Sequence, residues 1–181
     1  MKITIRPARP NDAQAVSMIK ERSWKAAYVG MMPQAFLDSL DDSHSTKRFE
    51  KDISAGTLKV KLLLEDNTPA GMIGYGKSRD EKYPDWGEVV YLYVRPGFCR
   101  RGYGEKLLRA AQEDLAYEGF QDGFLWVLKQ NRNARQFYSA MGLCETDDVT
   151  HSELMGETLT EVRYCFSLNL GNGGKNQSLS G

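Results

Sequence analysis

The sequence has little that would staple a fold or hold a metal. Among 181 residues there are three cysteines, Cys99, Cys144 and Cys165. They form an odd set at wide spacing with no CxxC pair, which argues against a disulfide framework. Two histidines, His44 and His151, are too few to build a structural zinc site with those cysteines, so no metal is expected. No apolar run approaches the roughly 18 residues of a membrane span, and the opening MKITIRPARPND lacks the apolar core of a signal peptide. These absences predict a cytoplasmic protein with no membrane partner. Excess charge is absent too: Lys plus Arg number 24 and Asp plus Glu number 24, for a net charge of zero. Proteins that grip nucleic acid through its backbone carry a basic surplus, because neutralised phosphates supply most of the affinity. Nucleic acid is therefore excluded as the main partner.

What is present is ordinary globular usage, with 41% hydrophobic and 27% charged residues. The length suits one domain, able to bury roughly 70% of its unfolded surface. Residues 2–6 alternate as a short strand, and Asn11 or Asp12 is placed to cap a helix with Ala13, Val16, Ile19 and Ser23 on one face. Two further helices follow, through Phe36, Leu37 and Leu40 and through Phe49 and Ile53, the last stopping at Gly56. Strands are expected at 58–65, 70–78 and 87–94. A long helix then runs to Gly119, a buried strand covers 124–128, and a shorter helix begins at Asn131 and ends before Gly142. The closing strands are predicted at 143–149 and 160–168, with a turn near Met155 and Gly156. This order predicts a single α/β (α+β) domain over 1–170, followed by a flexible tail at 171–181.

The chemically loudest segment is RPGFCRRGYGEKLL (95–108), a strand end, a loop of arginine and glycine, and a helix start. Free N–H groups and the positive dipole of a helix N-terminus attract anions, and glycines let a ligand approach the backbone. Arg95, Arg100 and Arg101 add charge, so phosphate or pyrophosphate is the expected ligand. The loop is neither a Walker A sequence nor a dinucleotide fingerprint, since Leu107 stands where GxGxxG needs its third glycine. Taken alone, it also reads as a surface turn with incidental arginines.

Its neighbours narrow the choice. Residues 88–143 place a strand (EVVYLYV), this loop, a helix, a strand and then Asn131, Ala134, Phe137, Tyr138 and Gly142 in an Asn-x-x-Ala-x-x-Phe-Tyr-x-x-x-Gly pattern. In that order and spacing the chain resembles the GCN5-related N-acetyltransferase (GNAT) superfamily. The stretch RSWKAAYVGMMPQAFLDSL (22–40) also resembles the opening of many bacterial members. One departure is Cys99, which occupies a position where the family loop usually carries Gln or Arg.

The resemblance implies a mixed, mostly antiparallel sheet with one splayed strand pair, flanked by helices. It implies acetyl transfer from acetyl-CoA to a primary amine in a ternary complex. By position, Arg100, Arg101, Gly102, Tyr103, Gly104 and Glu105 would hold the pyrophosphate, and Asn131 would contact the cofactor. The backbone of Leu92, Tyr93 and Val94 would serve the thioester carbonyl. Tyr138 would protonate the leaving thiolate, since a phenol of ordinary pKa about 10 keeps its proton near neutrality. Its competing reading is a core aromatic. Glu88 would take the amine proton, directly or through water, with Tyr91 as a substitute and a solvated strand-end glutamate as the plain alternative. The acceptor stays open between a small-molecule amine and a peptide amine, and relatives of this kind are often homodimers. A CoA-binding regulatory domain without catalysis, or a phosphate-binding module unrelated to CoA, are the rival classes.

Overall fold

Strand β4 (Gly87–Val94) organises the molecule, because its two edges have different fates. The computed structural model describes residues 1–168; the expected tail at 171–181 lies outside the described residues. Ahead of β4 come β1 (Ile3–Pro7), α1 (Ala13–Ala27), α2 (Gln34–Ser39), α3 (Thr46–Ala55), β2 (Lys59–Glu65) and β3 (Thr68–Lys77). After it come α4 (Tyr103–Tyr117), β5 (Asp122–Leu128), α5 (Arg132–Ala140), β6 (Cys144–Leu154) and β7 (Glu157–Ser167). The sheet runs β1-β2-β3-β4-β5-β7-β6 and is antiparallel except where β4 meets β5. It is the expected mixed, mostly antiparallel sheet flanked by helices.

Helices α4 and α5 cover one face over Leu107, Leu108, Leu125 and Tyr164; α1 and α3 cover the other over Val16, Ile19, Phe49 and Met72. Ala13, Val16, Ile19 and Ser23 are all buried, as their spacing requires. Asp12 stands at the N-cap of α1 but does not cap it. Its carboxylate accepts from Arg9 N–H (2.7 Å) and pairs with Arg6 (2.7 Å), tying the helix start to β1 instead. Asn131 does cap α5, its Oδ1 accepting from Ala134 N–H at 3.1 Å, and Gly142 follows the helix at φ 83°.

The β6–β7 hairpin is longer than the apolar pattern suggested. Its outer half is mostly polar, with Leu154 and Leu159 alone touching an apolar cluster among its described residues, so little alternation marks it in the sequence. The turn through Met155 (φ 50°) and Gly156 (φ 82°) has two left-handed residues, which matches the twist of a tight hairpin.

A bulge shapes β4. Gly74 pairs with Tyr91 and Tyr75 with Val89, so Val90 is the extra residue. Val89, Leu92 and Val94 consequently share the α4 face, while Tyr91 and Tyr93 share the α1 face. Pairing with β5 is confined to Gly87–Val89 against Gly123–Leu125, whereas β5 stays bonded to β7 along its whole length. From Val90 onward β4 and β5 diverge. The closed end is tight: a Cβ on Gly87 would lie 2.9 Å from Leu115, and one on Gly123 would run into the Phe166 ring.

Candidate active site

The divergence of β4 and β5 opens a cleft of about 840 Å³ reaching both faces of the sheet. Its β4 wall is backbone. Arg95 N–H donates to Ala70 O at 2.8 Å, on the β3 edge. Successive N–H groups of a strand point to opposite edges. The amides of Val94 and Leu92 therefore face the cleft, while that of Tyr93 is turned to β3. Consistently, the Val94 carbonyl accepts from Ser23 Oγ at 3.2 Å on that open side. Of the three β4 residues expected to offer backbone, two do so, and Tyr93 contributes its ring to the far side.

The loop wall is built from left-handed backbone. Gly97 (φ 88°), Arg100 (φ 61°) and Gly102 (φ 74°) turn the chain into α4, whose backbone bonding opens with Lys106 N–H to Gly102 O at 3.1 Å. The amides of Tyr103, Gly104 and Glu105 are thereby left for a ligand, and all three residues border the cleft. Gly104 permits α4 to approach α5, since a Cβ there would press on Phe137 at 3.3 Å. Arg100 borders the cleft. Arg101 does not: its guanidinium is drawn away by Glu65 (2.8 Å) and Gly97 O (3.0 Å), over the Phe98 ring. Tyr103 is likewise turned inward, its hydroxyl donating to Glu65, and the Glu105 carboxylate holds Arg109 at 2.9 Å. The cradle is thus more backbone and less side chain than the sequence suggested.

Across from the loop, Asn131, Ala134, Phe137 and Tyr138 line the cleft. Tyr138 is buried and its ring packs 5.3 Å from Phe137 and 6.0 Å from Tyr164. Both readings of this residue hold geometrically, as it is core aromatic and cleft wall together. Burial pushes its phenol well above the ordinary value of 10, with the Tyr28 phenol adding to the effect. The hydroxyl has no hydrogen-bond partner among the described residues.

On the α1 face the cleft widens between Trp24, Tyr28, Tyr93 and the strands β5 and β7. Trp24 packs edge-on against Tyr28 (5.4 Å) and Tyr93 (6.5 Å). Burial raises both phenols, and that of Tyr93 is raised strongly. Glu88 borders this chamber but is only 4% exposed, and it is clamped. Arg79 holds it through its backbone N–H (3.0 Å), Nε (3.0 Å) and Nη2 (2.6 Å). The loop carrying Arg79 is anchored in turn by Arg163, which pairs with Asp80 and stacks on Tyr83, Phe124 and Trp126. Arg79, Trp126 and Glu161 are cleft residues that sequence reasoning missed. They belong to a loop and to two strands without a motif, so no local signal marked them.

A cleft between splayed parallel strands, with a helix N-terminus on one wall and a buried tyrosine opposite, suits a long ligand carrying phosphates. Among the described residues no cluster of His, Cys, Asp and Glu is placed to hold a metal ion, and no helix is long and apolar enough to cross a membrane. Comparison with known proteins agrees with this geometry. The model of the acetyltransferase (GNAT) family matches residues 23–143, and the chain belongs to that family. It is 29% identical over 164 residues to the N-acetyltransferase YuaI of Bacillus subtilis, spanning 88% of this chain and 90% of that one. It is 23% identical to spermidine N(1)-acetyltransferase of Thermoplasma acidophilum, over 87% and 97% of the two chains. Among solved structures, PaiA N-acetyltransferase of T. acidophilum in complex with coenzyme A superimposes with a TM-score of 0.72 at 21% identity, over 89% of this chain and 98% of that one.

Proposed function

We propose that this protein is an acetyl-CoA-dependent N-acetyltransferase acting on a primary amine by direct attack in a ternary complex. The observation that carries the reading is the pairing of cleft-facing backbone N–H groups at Leu92 and Val94, beyond the end of the β4–β5 ladder, with Tyr138 across the same cleft. The residues present fit the donor. The first-turn amides of α4 and Arg100 suit a pyrophosphate, and the strand edge offers ladder-like hydrogen bonds to an extended amide-bearing arm. When bound, acetyl-CoA supplies an activated acetyl thioester.

The chain's own groups divide the remaining work. Backbone N–H groups of Leu92 and Val94 are donors, fixed in advance, for negative charge developing on a carbonyl oxygen. Tyr138 keeps a phenolic proton in the cleft, because burial disfavours the phenolate, and delivers it to a departing thiolate. Glu88, immobilised by Arg79, orders the amine end of the chamber and relays a proton through water rather than by direct contact. Asn131 holds the start of α5 so that Tyr138 stays aimed.

The testing experiment is a thiol-release assay with acetyl-CoA across a panel of primary amines, alongside titration calorimetry with acetyl-CoA and with ATP. Acetyl-CoA binding with amine-dependent thiol release is expected. Binding without release by any amine would instead mark a regulatory CoA-binding domain, and tighter binding of ATP would mark an unrelated phosphate module.

A further inference from the structure

The carboxylates around the cleft are unequal in one respect, whether a cation already holds them. Glu88 is clamped by Arg79. The acidic residues near α2 are committed elsewhere: Asp42 to Arg22, Asp38 to the Gln34 amide (2.8 Å), and Asp41 to Ser43 N–H (2.7 Å). Glu161 differs. It lies on β7 opposite Leu128, the last residue of β5, and lines the cleft. It is half-buried, and among the described residues no hydrogen bond or ion pair reaches its carboxylate.

Its neighbours explain why it stays unpaired. Along β7 the side chains of Leu159, Glu161 and Arg163 share one face, that of α1 and α2. Arg163 sits beside it but is taken by Asp80, Asp148 and three aromatic rings. On the other side Leu159 packs into an apolar cluster with Met32, Leu37, Leu128, Trp24 and Tyr28. Burial raises the Glu161 carboxyl above its ordinary value, and its charge in turn raises the Tyr28 phenol, so the two groups are within electrostatic reach. An isolated carboxylate in an aromatic, partly desolvated chamber costs free energy unless a cation arrives.

Position decides which nitrogen of an amine would arrive. The order β4-β5-β7 puts two strand spacings, about 10 Å, between the β4 edge and Glu161, and the splay widens this. A nitrogen attacking at the β4 edge is too far away to be the one that Glu161 holds. Resting on the acetyltransferase reading, we infer that Glu161 receives the distal ammonium group of the acceptor, which makes the acceptor a linear alkyl diamine or polyamine. The rings of Trp24, Tyr28 and Tyr93 flank the alkylene chain between the two nitrogens. A free amino acid fits poorly, because its carboxylate would share the chamber with the Glu161 carboxylate.

The test uses cadaverine and n-pentylamine, which share an alkyl chain and differ only in the distal ammonium. The wild-type protein is expected to favour cadaverine at least tenfold in kcat/KM. Glu161→Gln should raise the cadaverine KM about tenfold and erase the preference, with kcat on both amines and the acetyl-CoA KM unchanged within about twofold. Glu161→Asp should keep most of the preference, and thermal melts check that both variants are folded. Equal use of the two amines by the wild type overturns the inference, as does a preference that survives Glu161→Gln. So does a fall in kcat on both amines at constant KM, which would make Glu161 a proton carrier. In those three cases the acetyltransferase reading stands; only failure of all amines to release thiol brings down both.

Discussion

The two sides of the cleft are made differently. On the α4–α5 side, ligand-facing groups are mostly backbone: Leu92 and Val94 on β4, and the first turn of α4 behind Gly102. On the α1–β7 side they are side chains, with Trp24 and Tyr28 from α1 and its C-cap, Glu88 from β4 and Glu161 from β7. A backbone cradle needs particular local conformations, and these demand glycines and a strand–loop–helix order within a short stretch. A side-chain chamber needs no local order and accepts contributions from anywhere the fold brings together. The first kind of site suits a ligand of fixed shape, and the second selects what else enters.

Several substitutions would break or sharpen this contrast. The largest effect is expected from Tyr138→Phe, which should lower kcat on the order of 10²-fold, the usual worth of a positioned acid. Because Tyr138 belongs to the donor side, the loss should be equal for every amine and leave the acetyl-CoA KM nearly unchanged. A loss confined to one amine would place Tyr138 with the acceptor. Burial disfavours the phenolate, so deprotonation of Tyr138 should produce no alkaline fall in kcat below pH 10. A tyrosine-dependent fall at lower pH, absent from Tyr138→Phe, would contradict its burial.

Gly123→Ala tests the hinge shared by both sides. The added methyl would strike Phe166 at the closed end, so overpacking should cost about 1–3 kcal/mol in a denaturant melt. Kinetics below the melt should then be unaltered for donor and amine alike.

Smaller and more discriminating is the arginine pair. Arg100→Ala should weaken acetyl-CoA binding several-fold, roughly 1 kcal/mol, the amount expected of one charge-assisted contact beside a backbone cradle. Arg101→Ala should leave binding unchanged and lower stability only slightly, since a surface ion pair with Glu65 is all that is lost. If calorimetry shows Arg101→Ala to be the more damaging to binding, the account of the loop wall is wrong.

Legibility in the sequence follows the same division. The α4 loop, the Asn131 cap, Tyr138 and Gly142 were readable because each is a local requirement of turn, cap or close approach. The β4 and β5 strands were readable from their apolar runs, and α1 from its spacing. Arg101 was expected at the ligand, and its turn away from the cleft was not legible because the sequence cannot say that Glu65, 36 residues away, competes for it. Tyr93 was grouped with Leu92 and Val94 because strand parity relative to β3 depends on a pairing that is not local. Glu161 gave no sign, since an isolated glutamate in a polar hairpin strand looks solvated until α1 and α2 are laid over it.

The amino-acid sequence by itself determined the family, the order of elements and the glycine-rich turn into α4, all of which are written in local conformational needs. Only the tertiary structure decided which charges remain available to a ligand. Arg101 and Glu88 are neutralised by partners brought from elsewhere in the chain, whereas the Glu161 carboxylate has no ion-pair partner among the described residues, the neighbouring Arg163 being drawn to Asp80, Asp148 and three rings. Whether a charge is free depends on what packs against it, and packing is a property of the folded chain.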